Sequence, residues 1–309
     1  QVVHINGKKT KSDSYLKKIL SSDLNNKVLV WDKQNFDTKN YSLWINTLQQ
    51  FKGAGAAACI EFTTDKLTAD MSTEADGFAF YVVNNGTKST DVNEVEIHLQ
   101  NHLLKNYETQ NVVGYIPGTE QPDSFMLFSA HYDHLGQMGD GTFFPGANDN
   151  ASGITMLLTL AKYFNSHPQK YSICFIAFSG EELGLLGSKY YTEHPLFPLS
   201  QIKFLVNMDI VGTGDEGIKV VNGAVLSTDF NKLVSLNDSL HLLKSVQPRG
   251  KAANSDHYFF FEKGVSSFFI YTLGGISAYH DVFDKAATLP LTEFDDLAKL
   301  LIAFAEEEE

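Results

Sequence analysis

Four short, almost continuously apolar runs constrain this chain more than any other feature: FMLFSA at 125–130, YSICFIAF at 171–178, IKFLVNMDIV at 202–211 and SFFIYT at 267–272. Runs of this length without polar alternation read as strands covered on both faces, as the strands of parallel sheets are. Between them the periodicity changes. Ile154, Leu157, Leu158, Ala161 and Phe164 recur at helical spacing and predict a helix opening near Ser152, and 229–244 and 291–305 read as further helices. Strands alternating with helices imply an α/β fold, with a mainly parallel, mixed sheet and helices on both faces.

Residues 1–107 have a different texture, rich in Lys, Asn, Thr and Ser, with shorter apolar runs such as KVLVW at 27–31 and AAACIEF at 56–62. They predict a smaller N-terminal domain ahead of a larger one over 108–309. A chain of 309 residues has ample material for two such cores.

Composition narrows the function. With 24 Lys and Arg against 37 Asp and Glu, the formal charge is −13. That is the wrong sign for neutralising phosphates, so no nucleic-acid partner is expected, nor an anionic membrane surface. Cys59 and Cys174 are the only cysteines, too few for a disulfide framework or a thiolate zinc site. No apolar stretch approaches the ~18 residues of a membrane span, so no transmembrane segment is expected. Compartment is not legible from composition. The expectation is a secreted, periplasmic or cell-envelope protein whose signal peptide is not part of this chain.

The chemistry concentrates at strand ends. His131 and Asp133 follow FMLFSA, Glu181 and Glu182 follow YSICFIAF, and Asp209 closes the third run. Asp149 lies in the loop GANDNASG leading to Ser152, and His280 follows the fourth run after Gly274 and Gly275. In an open α/β sheet the carboxyl ends of the strands form the ligand crevice. Two histidines and three carboxylates make a nitrogen and oxygen set suited to zinc. They exceed the needs of one tetrahedral ion. With Asp149 as a bridge, His131, Asp149 and Asp209 would serve one ion and Asp149, Glu182 and His280 the other, leaving room for a shared hydroxide. The +4 of two zinc ions is then cancelled by three carboxylates and that hydroxide. Glu181 is placed to act as general base, and Asp133 to accept the second ring N–H of His131. Singly, a histidine after a strand is ordinarily a hydrogen-bonded rim residue and a Glu-Glu pair a solvated one. Together, uncompensated acids on one rim would repel one another, which favours the metal centre.

Other motifs carry less. GTGDEG at 212–217 fits a dinucleotide fingerprint in letters, but a β-like segment follows it and two acids occupy the turn, so it reads as a hairpin. H-E-x-x-H and G-x-S-x-G are absent from the sequence.

SAHYDHLG (129–136), GANDNASG (146–153), FSGEELGLLGS (178–188), NMDIVG (207–212) and AYHDVFD (278–284) closely resemble the M28 family of co-catalytic zinc aminopeptidases, over roughly residues 108–305 and in family order. The resemblance implies two Zn²⁺ held by His131, Asp149, Glu182, Asp209 and His280, with Glu181 as general base and Asp133 orienting His131. NSDHYFF at 254–260 is similar to the family's Ser-Asp-His segment near the substrate, which makes Asp256, His257 and Tyr258 candidate substrate-binding residues. KVLVWD, the helical stretch 41–51 and GAGAAACIEF resemble the strand, helix, turn and strand order of a protease-associated domain, which implies a β-rich N-terminal module over residues 1–107. The expected activity is hydrolysis of N-terminal residues from peptides with a free amino terminus, through a hydroxide bridging two zinc ions. Two alternatives stand beside it: a glutaminyl cyclase on the same fold, which uses one zinc, and a non-catalytic peptide-binding relative. EELGLLGS looks like the hydrolase version, and relics usually lose a ligand or the base.

Overall fold

In the computed structural model, which describes residues 1–73, 78–98, 100 and 102–307, the chain forms two units. One comprises residues 1–68 and 72–105, the other residues 69–71 and 106–309.

The first unit carries strands β1 (Val2–His4), β2 (Val28–Asp32), β3 (Ala58–Phe62) and β4 (Ala79–Val83), adjacent in that order and all parallel. Helix α1 (Asp13–Leu20) joins β1 to β2, and α2 (Thr38–Gly53) joins β2 to β3. α2 starts where the Asp37 side chain accepts the Asn40 N–H at 3.0 Å, satisfying one orphan donor of the first turn. It buries Trp44, Leu48 and Phe51, spaced by four and three residues, in a core with Leu29 and Trp31. The unit is therefore α/β rather than β-rich: parallel neighbours force the chain to cross back between strands, and two of those returns are helical. Residues 74–77, 99 and 101 of the expected N-terminal domain lie outside the described residues.

The second unit is built on a seven-stranded mixed sheet. Its strands are β5 (Val112–Ile116), β6 (Gln121–His131), β9 (Tyr171–Phe178), β10 (Ile202–Met208), β11 (Gly217–Val221), β12 (Val246–Arg249) and β13 (Ser267–Leu273), while β7 (Gly136–Met138) and β8 (Thr142–Phe144) form a separate ribbon. The spatial order is β12, β11, β13, β10, β6, β9, β5. The four apolar runs are the central strands β13, β10, β6 and β9, mutually parallel, with Phe128 level with Val206 on one side and Phe175 on the other. β5 and β11 run antiparallel to their inner neighbours.

Five helices accompany these strands: α3 (Ser152–Ser166), α4 (Leu186–Glu193), α5 (Ser227–Leu240), α6 (His257–Glu262) and α7 (Phe294–Glu307). Phe128, Phe164, Phe268 and Phe304 are fully buried in the main core cluster. Each such side chain contributes roughly 1.5–3 kcal/mol over its exposed state.

Two expectations need correction. Leu158, assigned to the buried face of α3, is exposed; the buried face is Gly153, Met156, Leu157, Leu160 and Phe164, and Leu158 lies about 100° around the helix from Leu157. GTGDEG does not close a hairpin either, because β11 pairs with β13 and β12 instead of β10. No helix among the described residues is long and apolar enough to cross a membrane.

Candidate metal centre

The central strands deliver the candidate residues to one rim. His131 is the last residue of β6, Glu181 and Glu182 follow β9, Asp209 follows β10, and His280 lies in the loop after β13. Asp149 sits in the turn Ala147–Ala151 ahead of α3. The turn is entered through Gly146 at φ 62°, in the left-handed region that glycine occupies without penalty.

The two oxygens of Asp149 divide the site into two sets. Oδ1 lies 3.3 Å from His131 Nε2, itself 3.4 Å from Asp209 Oδ1. Oδ2 lies 3.3 Å from His280 Nε2, itself 3.1 Å from Glu182 Oε2. Glu181 Oε2 is 4.0 Å from His131 Nε2. Donor atoms of His131, Asp149 and Asp209 all fall within 4.8 Å of one another, as do those of His134, Asp149 and Glu182. His131 Nε2 and Asp209 Oδ1 are buried without a hydrogen-bond partner among the described residues. Such orphans are costly, and a cation held between them would satisfy both, so this donor set fits a metal ion.

Electrostatics point the same way. Burial opposes the charged form of His131, but the carboxylates of Asp209 and Asp149 outweigh it and hold the imidazole well above its ordinary pKa. His280 behaves alike: burial is outweighed by hydrogen bonds to Asp149 and Glu182, which raise it to about 11. Burial would raise Asp149, yet His131 and His280 bring it below the usual carboxylate range. Glu181 is pushed up to about 9 by burial, opposed by His131 and reinforced by Asp209, Asp256 and Glu182. Cationic charge is thus strongly favoured at the centre, and a neutral carboxyl is held beside it.

Surrounding residues fix the donors. The Asp133 carboxylate lies 3.8 Å from His131 Nδ1, beyond hydrogen-bond reach, and accepts the N–H groups of Glu181 (3.2 Å) and Glu182 (3.3 Å). The ring of His131 is held by the backbone carbonyl of Asp133 at 3.1 Å, so the partner expected of the side chain is supplied by the main chain. A fully buried chain of hydrogen bonds runs from Ser129 Oγ to Asn207 Oδ1 (2.7 Å), from Asn207 Nδ2 to Ser255 Oγ (2.7 Å), and from Ser255 Oγ to Asp209 Oδ2 (2.8 Å). Asp70, in the 69–71 segment of the second unit, places Oδ1 3.2 Å from His280 Nδ1.

Ser255, Asp70, His134 and Asp284, whose carboxylate accepts the Asn148 and Asp149 N–H groups, are not among the sequence candidates. His134, Ser255 and Asp284 do fall inside the quoted segments SAHYDHLG, NSDHYFF and AYHDVFD, which was the available signal.

The candidate substrate residues differ in exposure. Asp256 and His257 are enclosed, with His257 tilted against Phe269 at 5.4 Å. Burial pushes the Asp256 carboxyl up to about 7 and the His257 imidazole down to about 4. Tyr258 is half-buried, its ring 5.1 Å from Phe259.

Comparison with known proteins adds an independent observation. The profile of peptidase family M28 matches residues 111–305. Aminopeptidase YwaD of Bacillus subtilis is 30% identical over 233 residues, 70% of this chain and 48% of that protein. A probable zinc metalloprotease of Pyrenophora tritici-repentis is 33% identical over 143 residues, 44% of this chain and 29% of that protein. The chain thus spans about half the length, or less, of these curated relatives. Among solved structures, BSAP, a zinc aminopeptidase from Bacillus subtilis, superposes with a TM-score of 0.74 at 22% identity, covering 99% of this chain and 74% of that one. The glutaminyl cyclase of an Acidobacteriales bacterium gives 0.55 at 20% identity, over 64% of this chain and 73% of that one. At these identities the structural likeness establishes the fold.

Proposed function

Because the chain belongs to peptidase family M28, we propose that it is a zinc-dependent aminopeptidase that hydrolyses N-terminal residues from peptides at the centre described above. The observation that carries this reading is the division of Asp149, whose two oxygens face His131 with Asp209 and His280 with Glu182. Two zinc ions would be held there, His131, Asp149 and Asp209 serving one and Asp149, Glu182 and His280 the other. Bound zinc supplies Lewis-acid polarisation of the scissile carbonyl and lowers the pKa of a nucleophilic water.

The chain's own residues supply the proton handling. Glu181 is half-buried beside His131 without being part of either ligand set, so its carboxylate can take a proton from the attacking water and pass it to the leaving amine. Glu181 would be ionised, and so able to accept that proton, once cations occupied the centre. The Asp133 carboxylate fixes the turn that presents Glu181 and Glu182 by holding both of their N–H groups. The first unit contributes none of the five ligands, and its sequence order supports reading it as a protease-associated-like module that influences which peptides are taken.

Cyclisation of N-terminal glutamine on a single metal would use only one of the two donor sets, which favours hydrolysis. Elemental analysis of zinc-reconstituted protein tests the metal count. Close to two ions per chain is expected; a value near one, unchanged in Asp209→Ala, would favour the single-metal cyclase.

A further inference from the structure

His134, three residues past the end of β6, belongs to neither ligand set, yet it is tied to one of them. Its Nδ1 lies 2.7 Å from Glu182 Oε1, while the other oxygen, Oε2, lies 3.1 Å from His280 Nε2. The side chains of His134 and Glu182 are 9% and 4% exposed, so water competes little for this contact. We infer that His134 is a positioning residue of the metal centre: it holds Oε1 of Glu182 and leaves Oε2 as the oxygen offered to an ion. The inference rests on the two-metal reading above.

Three features of the packing support it. A Cβ on Gly146 would lie 2.6 Å from Cγ and Cδ2 of His134, so the imidazole fills space that a glycine leaves on the loop bearing Asp149. The ring also meets that of His280 edge to face at 5.8 Å. It is therefore confined between the Asp149 loop and His280, and its Nδ1–H has one orientation in which to donate. Its Nε2 is buried without a hydrogen-bond partner among the described residues, so the contact with Glu182 is the one polar tie recorded for the ring.

A carboxylate with both oxygens free can rotate or chelate. One whose outer oxygen is held by a ring N–H is fixed in angle and bound through one oxygen. Partners of this kind typically change metal affinity by about 10- to 100-fold.

The test is a zinc titration of metal-depleted full chain against a chromophoric chelator, resolving two stepwise affinities, with the melting temperature of the metal-free protein measured in parallel. His134→Ala is expected to weaken one equivalent by about 10- to 100-fold and leave the other unchanged. His134→Asn, which retains an N–H near the position of Nδ1 but is a poor zinc ligand, is expected to restore most of that affinity. Should alanine prevent folding, His134→Phe, which fills the space without a donor, takes its place. Unchanged affinities, equal weakening of both equivalents, or no recovery with asparagine would overturn the assignment. A wild-type stoichiometry near one would instead contradict the two-metal reading, whatever the His134 variants do.

Discussion

Asp284 clamps the backbone of Asp149: its Oδ2 accepts the Asp149 N–H at 3.0 Å, and its Oδ1 takes the preceding amide, that of Asn148, at 2.8 Å. The residue that divides the metal centre is thus held from behind by a fully buried carboxylate 135 positions further along the chain.

Removing that clamp leaves two buried N–H groups unpaired, each costing about 1–3 kcal/mol. Asp284→Ala should therefore lower the stability of the metal-free protein by about 2–6 kcal/mol and weaken zinc binding, with Asp284→Asn intermediate because one acceptor survives. Denaturant unfolding and zinc titration check this. Wild-type values for both variants would contradict it.

Glu181→Gln should retain the fold and the metal content while kcat falls by roughly 10²- to 10⁴-fold, the usual effect of losing a positioned general base. Steady-state kinetics on an amino-acid p-nitroanilide, with elemental analysis of the same sample, separate a lost base from a lost metal. Full activity in this variant would remove Glu181 from the mechanism.

Zinc uptake should expel protons. In the metal-free protein at pH 7, the carboxylates around them hold His131 and His280 in the charged form, and burial keeps Glu181 neutral. Zinc must displace the protons on its two histidine ligands, and the added positive charge favours ionisation of Glu181. The sign follows: affinity rises with pH, because protons compete with the metal. Calorimetry near pH 7 in buffers of different ionisation enthalpy should report release of about two to three protons per two zinc ions. Binding without proton release would contradict the charge state assigned to the centre.

Much of the second unit was legible because its central strands are buried on both faces, where a continuous apolar run has few other readings. The ligand candidates were legible for a related reason, since parallel strands deliver their final residues to one rim. The edges were not. β12 reads VQPR, without an apolar pattern, and β5 is exposed at Val112, Gly114 and Tyr115. The face of α3 was misjudged at Leu158, because Leu157 and Leu158 are both apolar and only the packing chooses between them. Asp284, Ser255 and Asp70 act across 46 to 210 residues of sequence, a proximity that folding alone creates. Asp133 shows the same limit at short range: spacing placed it beside His131, but backbone geometry turned its carboxylate toward Glu181 and Glu182.

Hydrolysis at a two-metal centre is the central claim, and the fate of two peptides tests it most directly. Both hydrolysis and cyclisation need a polarised carbonyl and a carboxylate that moves a proton, so the products must separate them. Zinc-reconstituted protein is incubated with a Leu-initiated and a Gln-initiated peptide, and the mixtures are read by mass spectrometry. The account predicts free leucine from the first and free glutamine from the second. Loss of ammonia from the Gln peptide, with no leucine released from the other, would contradict it.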